Sequence, residues 1–219
     1  MKVLVTGGAG FIGSNLVKAL YGKNTKIDIV DDLSSGSMDL LEGVTLRHVF
    51  PELISHDTKS SYDIVNFYEC DFADDNMLHK IASGVYDAIY HFAAIPRVSF
   101  SVENPAETTD VNLMRTVKLF DAARYGKTRV VFSSSSSVYG GAEILPTRED
   151  APKNPKSPIG TDLIAMISSL LAIIQFALSS GSSGNLTYPA SWYSFVAIVF
   201  LSGCTSIGLS NFTNAPVAG

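Results

Sequence analysis

The chain has 219 residues, of which 46% are hydrophobic and 17% charged, and its formal net charge at pH 7 is −5. This length fits one domain or slightly more and allows a substantial buried core. The negative balance excludes a basic nucleic-acid-binding surface, and the two distant cysteines exclude a disulfide framework.

The charged residues are confined to one part of the chain. All 16 basic and 21 acidic residues lie at or before Asp162, so residues 163–219 carry none. Globular proteins are roughly one-quarter charged, so this uncharged run is not typical of one. The sequence therefore divides into two predicted parts, a domain over residues 1–158 and an apolar tail over residues 159–219.

Short β-branched runs alternate with amphipathic runs along the first part. Strands are predicted over residues 2–6, 26–32, 61–71, 85–94 and 128–135. Helices are predicted over residues 10–22 and 106–124, where apolar residues recur every three or four positions. Residues 34–61 show weak periodicity and are predicted to form an irregular insertion. This alternation predicts an α/β fold with a Rossmann-like, doubly wound parallel sheet, truncated where the uncharged apolar tail begins.

A glycine-rich turn follows the first predicted strand. Gly7, Gly10 and Gly13 form a G-x-x-G-x-x-G pattern, which lets the backbone approach a pyrophosphate and aims a helix amino end at its charge. Asp31 closes the second strand 18 residues after Gly13, where a carboxylate accepts hydrogen bonds from ribose hydroxyls. No arginine lies just beyond Asp31 to receive a 2′-phosphate, which favours NAD over NADP. The alternative is a glycine-rich turn that serves packing alone.

Several segments together resemble one family. They are VTGGAGFIGSNL, VDDLSSG, CDFAD, YHFAAIPRVSFSVENP, DVNLMRTVKLFDAAR, VVFSSSSSVYG and REDAPKNPKSP. In this combination the chain resembles the extended short-chain dehydrogenase/reductases, specifically the UDP-hexose 4-epimerases, over residues 1–158. The resemblance implies NAD as cofactor, a UDP-sugar as substrate, and a hydride that leaves C4 of the sugar and returns to its other face.

The resemblance also assigns cofactor-binding residues. They are Gly7, Gly10, Phe11, Ile12, Gly13, Asp31, Asp32, Asp71, Phe72, Phe92, Ala93, Ala94 and Asn112. It implies that Asp71 and Phe72 flank the adenine, that residues 92–94 line the route to the nicotinamide, and that Asn112 lies near that half of the cofactor. The alternatives are that Asp71 only caps a loop and that Asn112 is only a buried helix residue.

The catalytic constellation is present in part. Ser135 matches the family's hydroxyl residue, which bonds the substrate hydroxyl and the catalytic tyrosine; the alternative is that it only caps a turn. Related 4,6-dehydratases place Asp-Glu after that residue, because eliminating water requires a further acid and base. Here Ser136 and Ser137 follow, so the resemblance favours an epimerase.

The catalytic tyrosine and lysine of the family are absent. In this register the tyrosine follows Pro158 and the lysine comes four residues later, but the chain has Ile159 and Leu163. Neither side chain can carry a proton or a charge, and no Y-x-x-x-K occurs elsewhere in the chain. The sequence therefore predicts little or no epimerase activity for this chain.

Two apolar runs, residues 163–178 and 192–209, flank a Ser/Gly-rich link in the tail. Three interpretations compete: a change of reading frame or splicing near Ile159, a membrane hairpin, or a continuation of the soluble fold, which the absence of charge disfavours.

The predicted location is cytoplasmic, and the alternative is membrane association through residues 163–209. No nucleic-acid partner is predicted. The resemblance implies a homodimer formed through the helix that carries the tyrosine and lysine, and the absence of that pair argues against the dimer in this chain.

Overall fold

A computed structural model describes residues 1–54, 61–141, 146–148, 150–166 and 196–200. Its centre is a sheet of seven strands in the order β3-β4-β2-β1-β5-β6-β7, and every adjacent pair is parallel. The strands are β1 (Lys2–Thr6), β2 (Lys26–Asp31), β3 (Leu46–Val49), β4 (Val65–Glu69), β5 (Ala88–His91), β6 (Arg129–Ser134) and β7 (Val196–Phe200).

Helices cover the sheet. They are α1 (Phe11–Leu20), α2 (Asp75–Ala82), α3 (Val98–Glu103), α4 (Pro105–Thr109), α5 (Thr116–Gly126) and α6, described over residues 158–166. A π-helical segment, Asp110–Arg115, joins α4 to α5 and is called the π segment below. Short 3₁₀ turns occupy Met38–Leu41, Pro51–Leu53 and Ser136–Tyr139.

The central strand β1 is covered on both faces. Val3, Leu4 and Val5 have no exposed surface. Because successive strand residues point to opposite faces, Val3 and Val5 pack in one hydrophobic cluster and Leu4 in the other. A strand buried on both faces belongs to a parallel sheet with helices on each side, so the predicted doubly wound α/β fold is confirmed.

The order in which successive strands are added to the sheet reverses at β1. The chain runs outward from β1 through β2 to the edge formed by β3 and β4, then returns to β5 on the other side of β1. In such sheets a crevice opens at the carboxyl ends of the two strands that flank the reversal. The glycine turn after β1 and the segment after β5 therefore meet at this crevice.

The predicted elements differ from the observed ones in several places. The irregular insertion predicted over residues 34–61 contains β3, which pairs with β4 along its whole length. This four-residue strand is too short for its sequence to show a period, and its pairing with β4 is what fixes it. Short helices α2 and α3 were also not predicted. The helix predicted over residues 106–124 exists but includes the π segment.

Two pieces of the tail are described. In α6, Ile159, Leu163 and Met166 are buried in the main hydrophobic cluster, and β7 pairs with β6 at the edge of the sheet. These pieces continue the sheet and its cover past residue 158, although the tail carries no charge after Asp162. The division of the chain into domains at that residue stays a prediction.

Residues 167–195 and 201–219 lie outside the described part, so the predicted frame change and membrane hairpin stay predictions. Among the described residues, no helix has the length and hydropathy needed to cross a bilayer. The cytoplasmic location also stays a prediction.

Candidate functional site

The glycine turn is held against the loop that follows β5. Gly7 has φ +65°, a conformation that favours glycine. A Cβ on Gly7 would lie 2.8 Å from the backbone nitrogen of Ala93, and one on Gly13 would overlap the carbonyl oxygen of Gly7. The close approach of these backbones explains why the turn uses glycine at both positions.

The amino end of α1 faces outward from this turn. Among the described residues, no side chain caps α1, and its first turn holds no acidic residue. Phe11 is 77% exposed and Ile12 is 39% exposed, although both are large and apolar. A helix amino end carries partial positive charge and N–H groups that suit a phosphate. The N–H of Gly10 donates to the carbonyl of Gly7 at 3.1 Å. Phe11 and Ile12, at the start of α1, thus present backbone donors and an apolar surface that a bound nucleotide could cover.

Asp31 links the end of β2 to the glycine turn. Its Oδ2 accepts a hydrogen bond from the backbone N–H of Ala9 at 2.8 Å, and its Oδ1 accepts one from Leu33 at 2.9 Å. Burial raises the pKa of this carboxyl, and the two N–H bonds act in the opposite direction. Each oxygen keeps a lone pair that could accept a ribose hydroxyl. Asp32 is exposed, and its Oδ1 caps the loop by accepting from the backbone and hydroxyl of Ser34.

The segment after β5 is fixed to β1 by Thr6, whose backbone carbonyl and hydroxyl both accept hydrogen bonds from it. Oγ1 of Thr6 accepts the backbone N–H groups of Phe92 and Ala93, each at 3.2 Å. The hydroxyl hydrogen is therefore directed to Nδ1 of His91, 2.6 Å away. Phe92 and Ala93 are partly buried and Ala94 is exposed, so this segment forms one wall of the crevice.

His91 connects β1 and β5 to the helix above them. Because its Nδ1 accepts from Thr6, its Nε2 carries the hydrogen and donates to Oγ1 of Thr116 at 3.0 Å. The imidazole has no exposed surface, and burial lowers its pKa to about 3. His91 therefore stays neutral, and its bond with Thr6 helps to fix the segment of residues 92–94 that forms one wall of the crevice.

We expect His91 to make stability pH-dependent. Its pKa is about 3 in the folded chain and about 6.5 when unfolded, so the unfolded chain binds more protons. Stability is then complete above about pH 6.5 and falls as the pH drops towards 3, by on the order of 3 kcal/mol at pH 4. His91→Gln stays neutral and should flatten this dependence in urea unfolding measured from pH 7 to 4. His79→Gln, on an exposed face of α2, controls for losing one imidazole; an unchanged slope in His91→Gln contradicts the assignment.

Asn112 ties the π segment to the same wall. Its Oδ1 accepts the backbone N–H of Ile95 at 2.8 Å, and its Nδ2 donates to the carbonyl of Ile95 at 3.0 Å. The side chain is 7% exposed, and both ends of its amide are used. These contacts hold the loop after residue 94, and the place of Asn112 beside the cofactor stays a prediction. Single π-helical turns are frequent at functional sites.

Asp71 and Phe72 follow β4. Oδ1 of Asp71 accepts the backbone N–H of Ala73 at 2.6 Å, and its Oδ2 pairs with the guanidinium of Arg115. The ring of Phe72 is 6% exposed and packs edge-on against His91, so Phe72 can offer a ligand its backbone but not its ring. Just before Asp71, the Cys70 thiol stays protonated because burial, reinforced by nearby aspartates, raises its pKa to about 12.

Ser135 stands at the carboxyl end of β6 and begins the 3₁₀ turn. Its Oγ accepts the backbone N–H of Ser137 at 3.2 Å and donates to Oγ of Ser137 at 3.1 Å. The side chain is partly exposed. Ser135 therefore does cap the turn, and it also presents a hydroxyl at the edge of the sheet where the crevice opens.

The positions of the missing tyrosine and lysine lie on α6. Ile159 is 5% exposed and Leu163 is 7% exposed, and both belong to the main hydrophobic cluster. Residues four apart share one helix face, and here that face is apolar. Asp162, on the same helix, accepts from Oγ1 of Thr109 at 3.1 Å, and burial raises its pKa. Its contact is thus with α4.

Three residues that support the crevice were not predicted from the sequence: Thr6, His91 and Arg115. Thr6 and His91 are polar residues at the carboxyl ends of otherwise apolar strands, and that position is a usable signal. Arg115 gives no such signal, because an arginine on an amphipathic helix is predicted to face solvent.

The parallel sheet, with a glycine turn at its reversal point, defines an α/β protein of the Rossmann class. The sequence model of the NAD dependent epimerase/dehydratase family matches residues 3–188, and the chain belongs to this family. The matched range extends beyond residue 158, where the quoted motifs end.

Relatives and solved structures agree with this placement. A UDP-glucose 4-epimerase from Mycolicibacterium smegmatis is 37% identical over 167 residues, which are 75% of this chain and 49% of that protein. The crystal structure of UDP-glucose 4-epimerase from Brucella ovis in complex with NAD is 32% identical, with a TM-score of 0.64 over 82% of this chain and 49% of that one.

A UDP-N-acetylglucosamine 4-epimerase from Methanobrevibacter ruminantium, in complex with UDP-N-acetylmuramic acid, is 31% identical. Its TM-score is 0.65 over 80% of this chain and 50% of that one. This chain spans about half the length of the relatives it matches.

Proposed function

We propose that the chain binds NAD in the crevice between β1 and β5, as the cofactor-binding part of a UDP-sugar 4-epimerase-type protein. The observation that carries this proposal is the contact of the glycine turn with the wall formed by residues 92–94, beside the carboxylate of Asp31. The relatives that match this region are UDP-sugar 4-epimerases, and one solved neighbour is a complex with NAD.

The residues present fit a dinucleotide. Gly7 and Gly13 leave no room for a Cβ, so the turn packs tightly and a pyrophosphate can approach its backbone closely. Asp31 offers acceptors for two ribose hydroxyls and a negative charge that opposes a 2′-phosphate. The exposed Phe11 and Ile12 give the ligand an apolar surface to cover.

Bound NAD would supply a hydride acceptor and donor for the carbon at position 4 of a sugar. In this chain Ser135 could hydrogen-bond the hydroxyl on that carbon and orient it. Removing its proton requires a base, and a phenolate with its stabilising ammonium is what the family uses. Ile159 and Leu163 occupy those two positions, so we infer that this chain binds its ligands without epimerising the sugar.

A second candidate function follows from those two residues. Their burial in the hydrophobic cluster favours a non-catalytic nucleotide-binding protein that could sense or scaffold. Both candidates need the same crevice and the same cofactor, and they differ in role: the first is the cofactor-binding part of an epimerase-type protein, and the second senses or scaffolds. A UDP-sugar is the proposed second ligand in either case.

Calorimetry with the full chain tests the cofactor proposal. We expect NAD to bind and NADP to bind more weakly, because the Asp31 carboxylate repels the additional phosphate. Asp31→Asn should weaken NAD binding by about 10- to 100-fold, the effect of losing hydrogen bonds to a charged group. It should also reduce the preference for NAD over NADP, a ratio that a loss of stability alone does not change.

Asp63→Asn is the matched control, because Asp63 is exposed and lies before β4, at the opposite edge of the sheet. It should bind both dinucleotides as the parent does. A parent chain that binds neither NAD nor NADP would overturn the proposed function.

A further inference from the structure

Arg115 connects the π segment to the end of β4. Its guanidinium pairs with Oδ2 of Asp71, while its Nε and Nη2 donate to Oδ2 of Asp110 at 2.9 and 2.6 Å. About one-third of the side-chain surface of Arg115 and of Asp71 is exposed. The pair therefore lies at the surface, where a ligand can reach Asp71.

The π segment holds loops on both sides of the crevice. Arg115 fixes the residues after β4, and Asn112, three residues earlier, fixes the loop after β5 through Ile95. In the sheet β4 and β5 are separated by β2 and β1, the two strands that carry Asp31 and the glycine turn. One six-residue segment thus braces the opposite walls of the proposed cofactor site.

Asp71 lies where the base of a dinucleotide would extend. Asp31 is paired in register with Glu69 of β4, and Asp71 is two residues beyond Glu69. A ribose held by Asp31 therefore places its base towards the end of β4. With Oδ1 held by Ala73 and Oδ2 by Arg115, both carboxylate oxygens have fixed directions and each keeps one lone pair.

We propose that Arg115 is a positioning residue that holds the Asp71 carboxylate to accept a hydrogen bond from the exocyclic amine of a purine. This rests on the proposed function, since the purine is the adenine of the bound dinucleotide. A carboxylate accepts from an amine and repels a carbonyl oxygen at the same place. Arg115 therefore gives the site its selectivity for adenine over hypoxanthine.

The test compares binding of NAD with binding of nicotinamide hypoxanthine dinucleotide, by calorimetry on the full chain. The parent should prefer NAD by about 10-fold or more, because the carbonyl leaves the acceptor unpaired. Arg115→Met should reduce this ratio at least several-fold, and Arg115→Lys should restore part of it. Asp71→Asn should also lower the ratio, and adding Arg115→Met to it should lower the ratio no further.

Arg124→Met is the control, because Arg124 lies on α5 and pairs with Asp121 at 2.6 Å, one turn away on the same helix. It should keep the parental ratio. Loss of a positive charge alone weakens both dinucleotides alike, so the ratio isolates the positioning role.

A parent chain that binds neither dinucleotide overturns the proposed function. A parent that binds NAD while Arg115→Met keeps its full selectivity overturns the positioning role alone. If Arg115→Met does not fold, Arg115→Lys and Asp71→Asn carry the same comparison, and full selectivity in both overturns the role.

Discussion

Supplied with NAD and UDP-glucose, the purified chain is expected to show no measurable 4-epimerase turnover. A single positioned acid–base group contributes about 10²- to 10⁴-fold to a rate, and here both the base and its charged partner are replaced by hydrocarbon. A free tyrosine has a pKa near 10, so even an adventitious phenol would need a cation beside it. The measurement is the conversion of UDP-glucose to its C4 epimer, which chromatography quantifies.

The positions of the two side chains give this expectation its physical reason. Ile159 and Leu163 are both less than one-tenth exposed and contact the core, so water cannot take the place of the missing base at either position. A Cβ on Gly160 would overlap the carbonyl oxygen of Ser137, so the start of α6 lies directly against the turn that Ser135 begins.

The relative from Mycolicibacterium smegmatis, assayed in parallel, shows that the assay detects turnover. The double variant Ile159→Tyr/Leu163→Lys tests the cause: if it folds and gains activity over the parent, the missing pair is what prevents the reaction. Robust turnover by the unchanged chain would refute the inference that it binds without catalysing.

The sequence was sufficient for the fold around the site because the relevant signals are local. The β-branched run of β1 is buried on both faces, and the glycines that follow it have one steric purpose. The position of Asp31 at the end of β2 follows from the strand pattern and from its spacing to Gly13, and its role towards a ribose stays a prediction. The outer element β3 was not predictable, since a four-residue strand has no readable period and exists through its pairing with β4.

The site's supporting contacts depend on tertiary geometry that spacing does not encode. Thr6 and His91 are 85 residues apart and share a 2.6 Å hydrogen bond. The bond between Arg115 and Asp71 depends on the π segment, and hydrophobic periodicity predicts a helix there without showing a π turn. Phe72 depends on tertiary packing in the same way: the resemblance implies that it flanks the adenine, and the burial of its ring against His91 leaves its backbone to do so.

A second large effect, on the free energy of unfolding, is expected at Asp28 in the middle of β2. Its fully buried carboxylate connects β2 to neighbouring elements. It accepts hydrogen bonds from the hydroxyl of Tyr86 at 2.8 Å and from Nδ2 of Asn66 at 2.9 Å. The ammonium groups of Lys2 and Lys80 lie 3.4 and 3.8 Å from its Oδ2. Burial and the adjacent carboxylate raise the pKa of Tyr86 well above its usual value, so this hydroxyl remains a donor.

Asp28→Leu should lower the free energy of unfolding by about 3–5 kcal/mol, the cost of removing one partner from a buried charged network. The carboxylate that faces Lys80 is lost, while the ammonium group of Lys80 remains in a side chain only 8% exposed. Asp28→Leu/Lys80→Met should recover much of the loss, because replacing a buried pair by apolar side chains is often neutral. Urea unfolding followed by circular dichroism gives these values.

Asp150→Leu separates burial from charge pairing in the same experiment. Asp150 also pairs with an arginine, Arg148, at 2.9 Å, but both side chains are more than two-thirds exposed, and exposed pairs contribute little. It should leave the unfolding curve unchanged. If Asp28→Leu behaved like Asp150→Leu, the buried network would not be what holds α2 and the strand ends together, and the stability of this half of the sheet would come from its apolar contacts alone.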